Sequence, residues 1–366
     1  MEIANVIRNI VRRLAILLLP TALLITAANA QTPGDPAIEV VAEVAKGPGN
    51  ITVTRGGAII ISLHQFFGDD VRVARVYGDG SLRPFAEAAG LNSVLGLQAD
   101  SHGIVWMLDN AMRGGDRRRL VGWHVAQDRL VADIDLTSAS RNGSFLNDLA
   151  IDAERRVAYI ADPASGADAA LLVVDLATQE VRRVLQGHPS LTPEDIDLVI
   201  DGNPVRIKQE DGREIRPRVG VNPIALDAAS DWLYFGPMHG LAMYRLRTSD
   251  LRDPGLSADD LGQRVQRWAD KPISDGISID TAGNLYLGEL SANGIGVITP
   301  DRRYRMLVKD PRLSWVDAFS FGPDGYLYTV ANQLHRTAVL NAGEDITRPP
   351  YLILRMRPLA DGIPGR

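Results

Sequence analysis

Asparagine and aspartate recur at one position of a pattern that is repeated along the chain. The pattern is clearest at Asp280, where a glycine follows after three residues and a tyrosine after six. The residue five places before the start of each copy is Asn or Asp in five of six copies. These six residues are Asn50, Leu95, Asn147, Asn222, Asp275 and Asp317. If the copies fold alike, the polar side chains converge on one place, where their oxygen atoms could bind a cation or a substrate.

The residue types at this position leave four interpretations open. Amide and carboxylate oxygens suit a hard divalent cation, with Ca²⁺ the best match. Two carboxylates could instead attract an organic amine, and one of them could act as a general base on a bound substrate. Asn and Asp could also simply cap strand ends. The chain has no cysteine, and its six histidines show no metal-ligand spacing.

The elements that must position these residues are short strands. Apolar runs such as "AIIISLH", "VAYIAD" and "NLYLGEL" are separated by Gly, Asp and Asn turns, which indicates an all-β protein. The copies are 42 to 53 residues apart, except for 75 residues between Asn147 and Asn222. A period of this length is typical of four-stranded propeller blades. The sequence therefore predicts a six-bladed β-propeller, with the repeated polar position at one mouth of the central channel.

Two further features refine this prediction. The sixth copy lacks one strand, which residues 37–45 ("AIEVVAEVA") could supply, so that N- and C-terminal strands share the closing blade and hide its edge. The long interval contains an insertion at about residues 187–219, and its Asp-Gly turns at 201–202 and 211–212 predict a hairpin flap.

Composition and the N-terminus bear on location and partners. A net charge of −6 argues against nucleic acid as a partner. Arg8, Arg12 and Arg13 precede a short apolar stretch and "ANA", which is typical of a signal peptide at residues 1–30 with cleavage after Ala30. We therefore expect one propeller domain at residues 31–366, located in the periplasm or secreted and free of the membrane after cleavage.

Segments from every copy resemble the yellow/major royal jelly protein family in its bacterial form. They include "GNITVTRGGAIIISLHQF", "FLNDLAID", "GVNPIALD", "SDGISIDTAGNLYLGEL" and "WVDAFSFGPDGYLYTVANQLHR". The resemblance covers nearly the whole chain after the signal peptide. More distantly, the units resemble the gluconolactonase/regucalcin superfamily. Both resemblances imply a six-bladed propeller that acts on or binds a small molecule, without an organic cofactor.

The lactonase-like relatives imply roles for individual residues. Their metal is held by a Glu, an Asn and an Asp, and Asn222 and Asp275 match the last two, with Asp275 also matching the general base. Asn147 matches an Asn that contacts substrate. Asn50 stands in place of the Glu, and Asp317 could restore the lost charge. The resemblance thus implies a lactonase-like hydrolase or a dopachrome-type isomerase, or alternatively a non-catalytic protein that binds a small molecule such as an amine.

Overall fold

The strands form six antiparallel sheets of four strands within the part of the chain described by the computed structural model, residues 37–164 and 166–366. These sheets are the blades of a β-propeller, which confirms the predicted fold class. The innermost strands of adjacent blades contact one another, and those of the last and first blades also touch, so the ring is closed. The predicted signal peptide at residues 1–30 and its cleavage site lie outside the described residues.

Each of the first three blades is built from four consecutive strands, which follow one another from the channel outwards. Blade 1 contains β2 (Pro48–Val53), β3 (Ile59–Leu63), β4 (Val73–Val76) and β5 (Leu82–Pro84). Blade 2 contains β6 (Val94–Ala99), β7 (Ile104–Asp109), β8 (Arg119–His124) and β9 (Arg129–Asp135). Blade 3 contains β10 (Leu149–Asp152), β11 (Val157–Asp162), β12 (Ala170–Asp175) and β13 (Val181–Val184).

Two small hairpins separate blade 3 from blade 4, with the Asp-Gly pairs 201–202 and 211–212 in their turns. Their strands are β14 (Val199–Ile200), β15 (Asn203–Pro204), β16 (Ile207–Lys208) and β17 (Glu214–Ile215). Blade 4 contains β18 (Val221–Leu226), β19 (Trp232–Pro237), β20 (Ala242–Arg247) and β21 (Gln266–Asp270). Blade 5 contains β22 (Ser274–Ile279), β23 (Leu285–Glu289), β24 (Gly294–Ile298) and β25 (Tyr304–Lys309).

The sixth blade joins the two ends of the propeller, as the sequence predicted. It contains β26 (Val316–Phe321), β27 (Leu327–Ala331), β28 (Tyr351–Met356) and, as its outermost strand, β1 (Glu39–Val44). Glu39 lies opposite Arg355 in the β1–β28 pairing and accepts a hydrogen bond of 2.9 Å from its guanidinium. The first strand thus covers the sheet edge that the last blade would otherwise expose.

Helices are few and short in the described residues. α1 (Thr248–Arg252) and α2 (Ala258–Gln263) lie on the connection between β20 and β21, and Ser257 caps α2 through the amide of Asp260. Single 3₁₀ turns occupy Gln65–Phe67, Glu87–Ala89, Thr137–Ala139, Leu290–Ala292 and Leu334–Arg336. Among the described residues, no helix has both the length and the apolar character needed to cross a membrane.

The core is divided among the interfaces between blades. Six buried apolar clusters each join two adjacent blades, the one between blades 3 and 4 including Tyr159 and Phe235. A seventh cluster joins the insertion to the propeller and includes Leu198, Met238 and Trp315. The insertion is therefore packed against one mouth of the channel through apolar contacts, which are the main favourable term in such packing.

Candidate functional site

A β-bulge at the start of the innermost strands positions the repeated polar residues. In five blades, two residues of the innermost strand lie opposite one residue of its neighbour, as Asp275 and Gly276 do between the Ser274 and Ile277 pairings. Blade 3 has the equivalent arrangement, because Asn147 and Asp148 both hydrogen-bond to the backbone of Ala161. A bulge re-aims the side chains that it carries, so every blade except blade 2, whose bulge consists of Leu95 and Gly96, can present a polar group to the channel at this level.

Close contact between neighbouring bulges explains the glycine at the second bulge position of blade 5. A Cβ on Gly276 would lie 2.2 Å from the carbonyl oxygen of Asp317 in blade 6. Only glycine allows the two backbones to approach this closely. The "DG" of "SDGISID" is therefore a means of bringing Asp275 and Asp317 together.

Three of the predicted site residues form a chain of side-chain hydrogen bonds. Asn147 donates its Nδ2 to the amide oxygen of Asn222, and Asn222 donates its own Nδ2 to Oδ1 of Asp275. The other carboxylate oxygen of Asp275 accepts a bond of 2.8 Å from the indole N–H of Trp315. Asp275 is thus held at both oxygens by side chains from other parts of the chain.

Asn50 does not occupy the repeat position that the sequence assigned to it. The pairing of Pro48 with Leu63 and of Ile51 with Ile61 places Gly49 at the first bulge position and Asn50 at the second. Asn50 is therefore equivalent to Asp148, and its Nδ2 donates to Oδ1 of Asp148 at 2.9 Å. The first bulge position is polar in four blades, at Asn147, Asn222, Asp275 and Asp317.

Asp317 is anchored on its own blade. Its Oδ2 accepts a hydrogen bond of 2.5 Å from Nδ2 of Asn332, which also donates to the carbonyl oxygen of Pro48. Asn332 is fully buried, whereas Asp317 keeps some exposure to the channel. The carboxylate is therefore fixed in place while one side of it remains accessible.

Three carboxyl groups repel one another in this site. Burial raises the pKa of Asp148 well above its usual range, and the charge of Asp275 adds to the shift. Burial also raises the pKa of Asp317, with further contributions from Asp275 and Asp148. Burial raises the pKa of Asp275 to about 7, opposed by the Trp315 hydrogen bond and by Lys271. The site thus disfavours the ionised form of all three carboxyls, mainly because they are buried, and a positive charge nearby would favour that form.

Lys271 is a cationic side chain near the cluster, since its charge lowers the pKa of Asp275. Its side chain is buried, and its Nζ donates to the carbonyl oxygens of Gly240 (2.8 Å), Pro272 (3.1 Å) and Met238 (3.4 Å). Burial lowers the pKa of Lys271 to about 7, opposed by the charges of Glu194 and Asp275. Its ammonium group is therefore committed to backbone carbonyls and offsets the carboxylates only from a distance.

A mainly apolar cavity of about 260 Å³ opens above the first bulge position. Asn147, Asn222, Asp275 and Asp317 contribute the polar part of its lining, together with His64 and His239. Most of the remaining wall is apolar, and the insertion supplies several of its residues. These include Leu198, Val205, Ile207, Pro217 and Val219. The cavity can therefore hold a small molecule with an apolar body beside the carboxylates.

The channel is much narrower beyond the second bulge position. Asn50 and Asp148 line a space of about 40 Å³, together with Gly365 and Arg366. The Arg366 guanidinium donates to the carbonyl oxygen of Asp227 (3.0 Å) and to Oγ of Ser230 (2.9 Å). The apolar cavity is therefore the wider approach to the carboxylates.

A divalent cation fits the donor set of this site. Hard cations bind carboxylate and amide oxygens, and three neighbouring carboxyls whose pKa values are all raised would gain from a positive charge between them. Within residues 37–164 and 166–366, no three His, Asp or Glu side chains alone could hold a metal ion. A cation at this point would therefore also need the amide oxygens of Asn222 and Asn50, which in this structure accept hydrogen bonds from the Asn147 side chain and from the backbone amide of Ile51.

Several residues of the site were missed by reasoning from sequence. Asp148 follows Asn147 directly, and a bulge is what brings both residues to the axis. Trp315 precedes β26 and Lys271 precedes β22, so each lies on a connection between blades and outside the repeated pattern. His239 follows β19 and lines the cavity. The adjacent acidic residue in "FLND" was the available signal for Asp148; the other three carried none.

Comparisons with known proteins agree with this architecture. The family model described as "Major royal jelly protein" matches residues 92–360. A calcium-binding protein, regucalcin, from Agrobacterium tumefaciens has 12% identity and a TM-score of 0.58, with 90% of this chain and 97% of that chain covered. A gluconolactonase from Xanthomonas campestris has 14% identity and a TM-score of 0.56, covering 91% and 93%.

A luciferin-regenerating enzyme is similar to the same extent, with 13% identity, a TM-score of 0.57 and coverage of 90% and 98%. At these identities, the likeness to the three structures shows the fold alone. No curated protein matches the chain significantly.

Proposed function

The chain belongs to the major royal jelly protein family, and from its channel site we propose that it is a lactonase-like hydrolase that opens a small lactone with the help of a divalent cation, Ca²⁺ being the best suited. We further propose that it works in the periplasm or outside the cell after removal of residues 1–30. The likeness to a gluconolactonase and to a calcium-binding regucalcin supports the first proposal.

The position of Asp275 is the observation that carries this proposal. Its carboxyl lies at the polar end of a cavity with room for a small molecule, and its pKa is raised to about 7 by burial. A general base works best when its pKa is near the working pH. Asn222 and Trp315 fix both of its oxygens, so the group is oriented before a substrate arrives.

Each residue then has a defined task in lactone hydrolysis. Asp275 takes a proton from a water molecule, whose oxygen bonds to the carbonyl carbon of the lactone. The ring C–O bond then breaks, and the leaving oxygen receives the proton from Asp275, which gives a hydroxy acid. Asn147 contacts the substrate. Asn222, Asp275 and Asn50 would hold the cation, which when bound polarises the carbonyl.

The test uses the mature protein, residues 31–366. Bound metals are measured by elemental analysis, and hydrolysis of a lactone panel is followed by pH-stat before chelation, after chelation and after addition of Ca²⁺. We expect hydrolysis that is lost with chelator and restored by Ca²⁺. Asp270→Asn, at an exposed carboxyl of β21, should leave it unchanged. A metal-free protein without chelator-sensitive hydrolysis would rule out this function.

The excess of carboxylates also favours a second candidate, a non-catalytic protein that binds a small organic amine. An ammonium group beside Asp148, Asp275 and Asp317 would offset the same charge that a metal would. Calorimetric titration with phenethylamine separates the two candidates. Binding that survives chelation, in a protein that hydrolyses no lactone, would select the binding protein; a dopachrome-type isomerase would instead convert its substrate without taking up water.

A further inference from the structure

His239 is a buried histidine that lines the ligand cavity and whose ring has one nitrogen without a partner. The side chain is 1% exposed, and its Nδ1 accepts a hydrogen bond of 3.1 Å from the backbone amide of Val219. Nε2, on the opposite edge of the ring, has no hydrogen-bond partner among the described residues and is itself buried, so a ligand oxygen reaches it only when the neighbouring cavity wall shifts. A buried polar atom without a partner costs free energy, so such an atom calls for an explanation.

The hydrogen bond from Val219 fixes the chemical form of this ring. Because Nδ1 accepts, the proton of the neutral imidazole is on Nε2, which makes Nε2 a donor. Burial lowers the pKa of His239 to about 4, helped by the positive charges of Arg218 and Lys271, so the ring is neutral at neutral pH. His239 thus offers an uncharged N–H group.

The surrounding backbone holds His239 rigidly. The amide of His239 donates to the carbonyl of Val219 (3.1 Å), and its own carbonyl accepts from Glu194 (2.7 Å). Lys271 donates to the carbonyl oxygens of Met238 and Gly240, the residues on either side of His239. The donor is therefore fixed in place by two connections between blades, as groups that recognise ligands usually are.

We propose that His239 donates its Nε2–H to an oxygen of the bound substrate, and that the substrate is an uncharged lactone with an apolar body rather than a sugar lactone. The apolar wall formed by Phe66, Phe145, Leu198, Val205, Met238 and Leu334 offers few partners for the hydroxyl groups of a sugar. This substrate class rests on the proposed hydrolase function, whereas the role of His239 as a donor to a ligand carbonyl does not.

The experiment compares substrates and variants in the full mature protein with Ca²⁺ present. δ-Decalactone and glucono-δ-lactone are the two substrates, and 2-pentylcyclohexanone is a ligand with a carbonyl acceptor that cannot be hydrolysed. We expect kcat/KM to be about 100-fold or more higher for δ-decalactone, because its pentyl chain is buried. His239→Leu should lower kcat/KM for this lactone and the affinity for the ketone by about tenfold each.

Two further variants keep the test decisive. His239→Gln retains a side-chain N–H and should recover part of the ketone affinity, while its folding is checked by circular dichroism. His188→Gln, at a histidine outside the cavity, should change neither readout. In ¹⁵N-labelled wild type, the Nε2–H signal of His239 should shift when the ketone is added.

The outcomes separate this inference from the proposed function. If no lactone is hydrolysed but ketone affinity depends on His239, the hydrolase function and its substrate class fail, and the donor role of His239 stands. If lactones are hydrolysed and His239→Leu binds the ketone as wild type does, the donor role is wrong. Faster hydrolysis of glucono-δ-lactone than of δ-decalactone would overturn the substrate class.

Discussion

The innermost strand of blade 5 has an aspartate at each end, and the two carboxyls meet very different surroundings. Asp280, just after β22, accepts four hydrogen bonds: from the amides of Ala282 (3.0 Å) and Asn284 (2.9 Å), from the Asn284 side chain (2.8 Å) and from the Tyr286 hydroxyl (2.8 Å). All of these donors lie within six residues. The Asp280 carboxylate is therefore satisfied by its own turn.

Asp275, at the start of the same strand, has no such local partners. Its two side-chain donors, Asn222 and Trp315, are 53 and 40 residues away along the chain. Two further carboxyls, Asp148 and Asp317, lie close enough for their pKa values to be raised by its charge. An acidic position that stabilises the fold therefore differs from one that forms a site. The carboxylate of the first accepts hydrogen bonds from its own turn, whereas the charge of the second is left for a bound ligand to offset.

The same replacement at the two ends of β22 should therefore have opposite effects. Asp275→Asn should lower lactone hydrolysis by about 10²- to 10⁴-fold, because the general base is lost. It should leave thermal stability unchanged or higher, because a carboxyl that is repelled by its neighbours is removed. Asp280→Asn should cost about 2 kcal/mol of stability, because it weakens hydrogen bonds to a charged acceptor, and should keep activity in the folded protein.

Hydrolysis assays below the unfolding temperature and thermal unfolding followed by circular dichroism check both halves of this prediction. If Asp280→Asn lost activity while remaining as stable as wild type, the assignment of a structural role to Asp280 and a role in the site to Asp275 would be wrong.

The sequence predicted the blade repeat and the closing strand because both depend on local periodicity. Asn147, Asn222, Asp275 and Asp317 were placed together since each lies a fixed distance from a turn signal. The first copy has no aspartate or glycine at the anchor position, which Thr54 occupies, so Arg55 was taken for the anchor and Asn50 was given the wrong bulge position.

The rest of the site depends on contacts that no repeat constrains. Trp315, Lys271 and His239 lie on connections between strands, and their positions follow from how separate blades and the insertion pack. Sequence periodicity carries no information about such packing. For the same reason, the apolar character of the cavity appeared only in the structure, since residues far apart in sequence contribute to its wall.

Lowering the pH should reduce the free energy of unfolding, because the buried His239 resists protonation in the folded protein. The pKa of His239 falls from 6.5 in the unfolded chain to about 4 in the folded protein because of burial. Between these values the unfolded state binds the proton more readily, so the free energy of unfolding decreases as pH falls from 6.5 to 4. The contribution of His239 to this loss is about 3 kcal/mol.

Urea unfolding of wild type and His239→Gln at a series of pH values measures this contribution. The difference between the two proteins should be constant above pH 7 and should shift in favour of the variant below pH 6. Differences that do not change with pH would mean that His239 gains a proton in the folded protein as easily as in the unfolded chain.

The smallest effect that we expect concerns the two ends of β10, the innermost strand of blade 3, where two carboxyls again differ in their hydrogen-bond partners. Asp152, at the end of β10, accepts hydrogen bonds from the amide and the guanidinium of Arg155 (both 3.0 Å), whereas Asp148 accepts from Asn50 alone among the described side chains.

Asp148→Asn should weaken Ca²⁺ binding by about tenfold, because affinity follows the charge around the cation. Asp152→Asn should lower stability by about 1 kcal/mol and leave Ca²⁺ affinity unchanged. Thermal unfolding at increasing Ca²⁺ concentrations measures both quantities, since a ligand that binds only the folded state stabilises it by an amount that grows with the logarithm of its concentration divided by Kd. Equal Ca²⁺ dependence in the two variants would place the cation away from Asp148 and confine the site to the first bulge position.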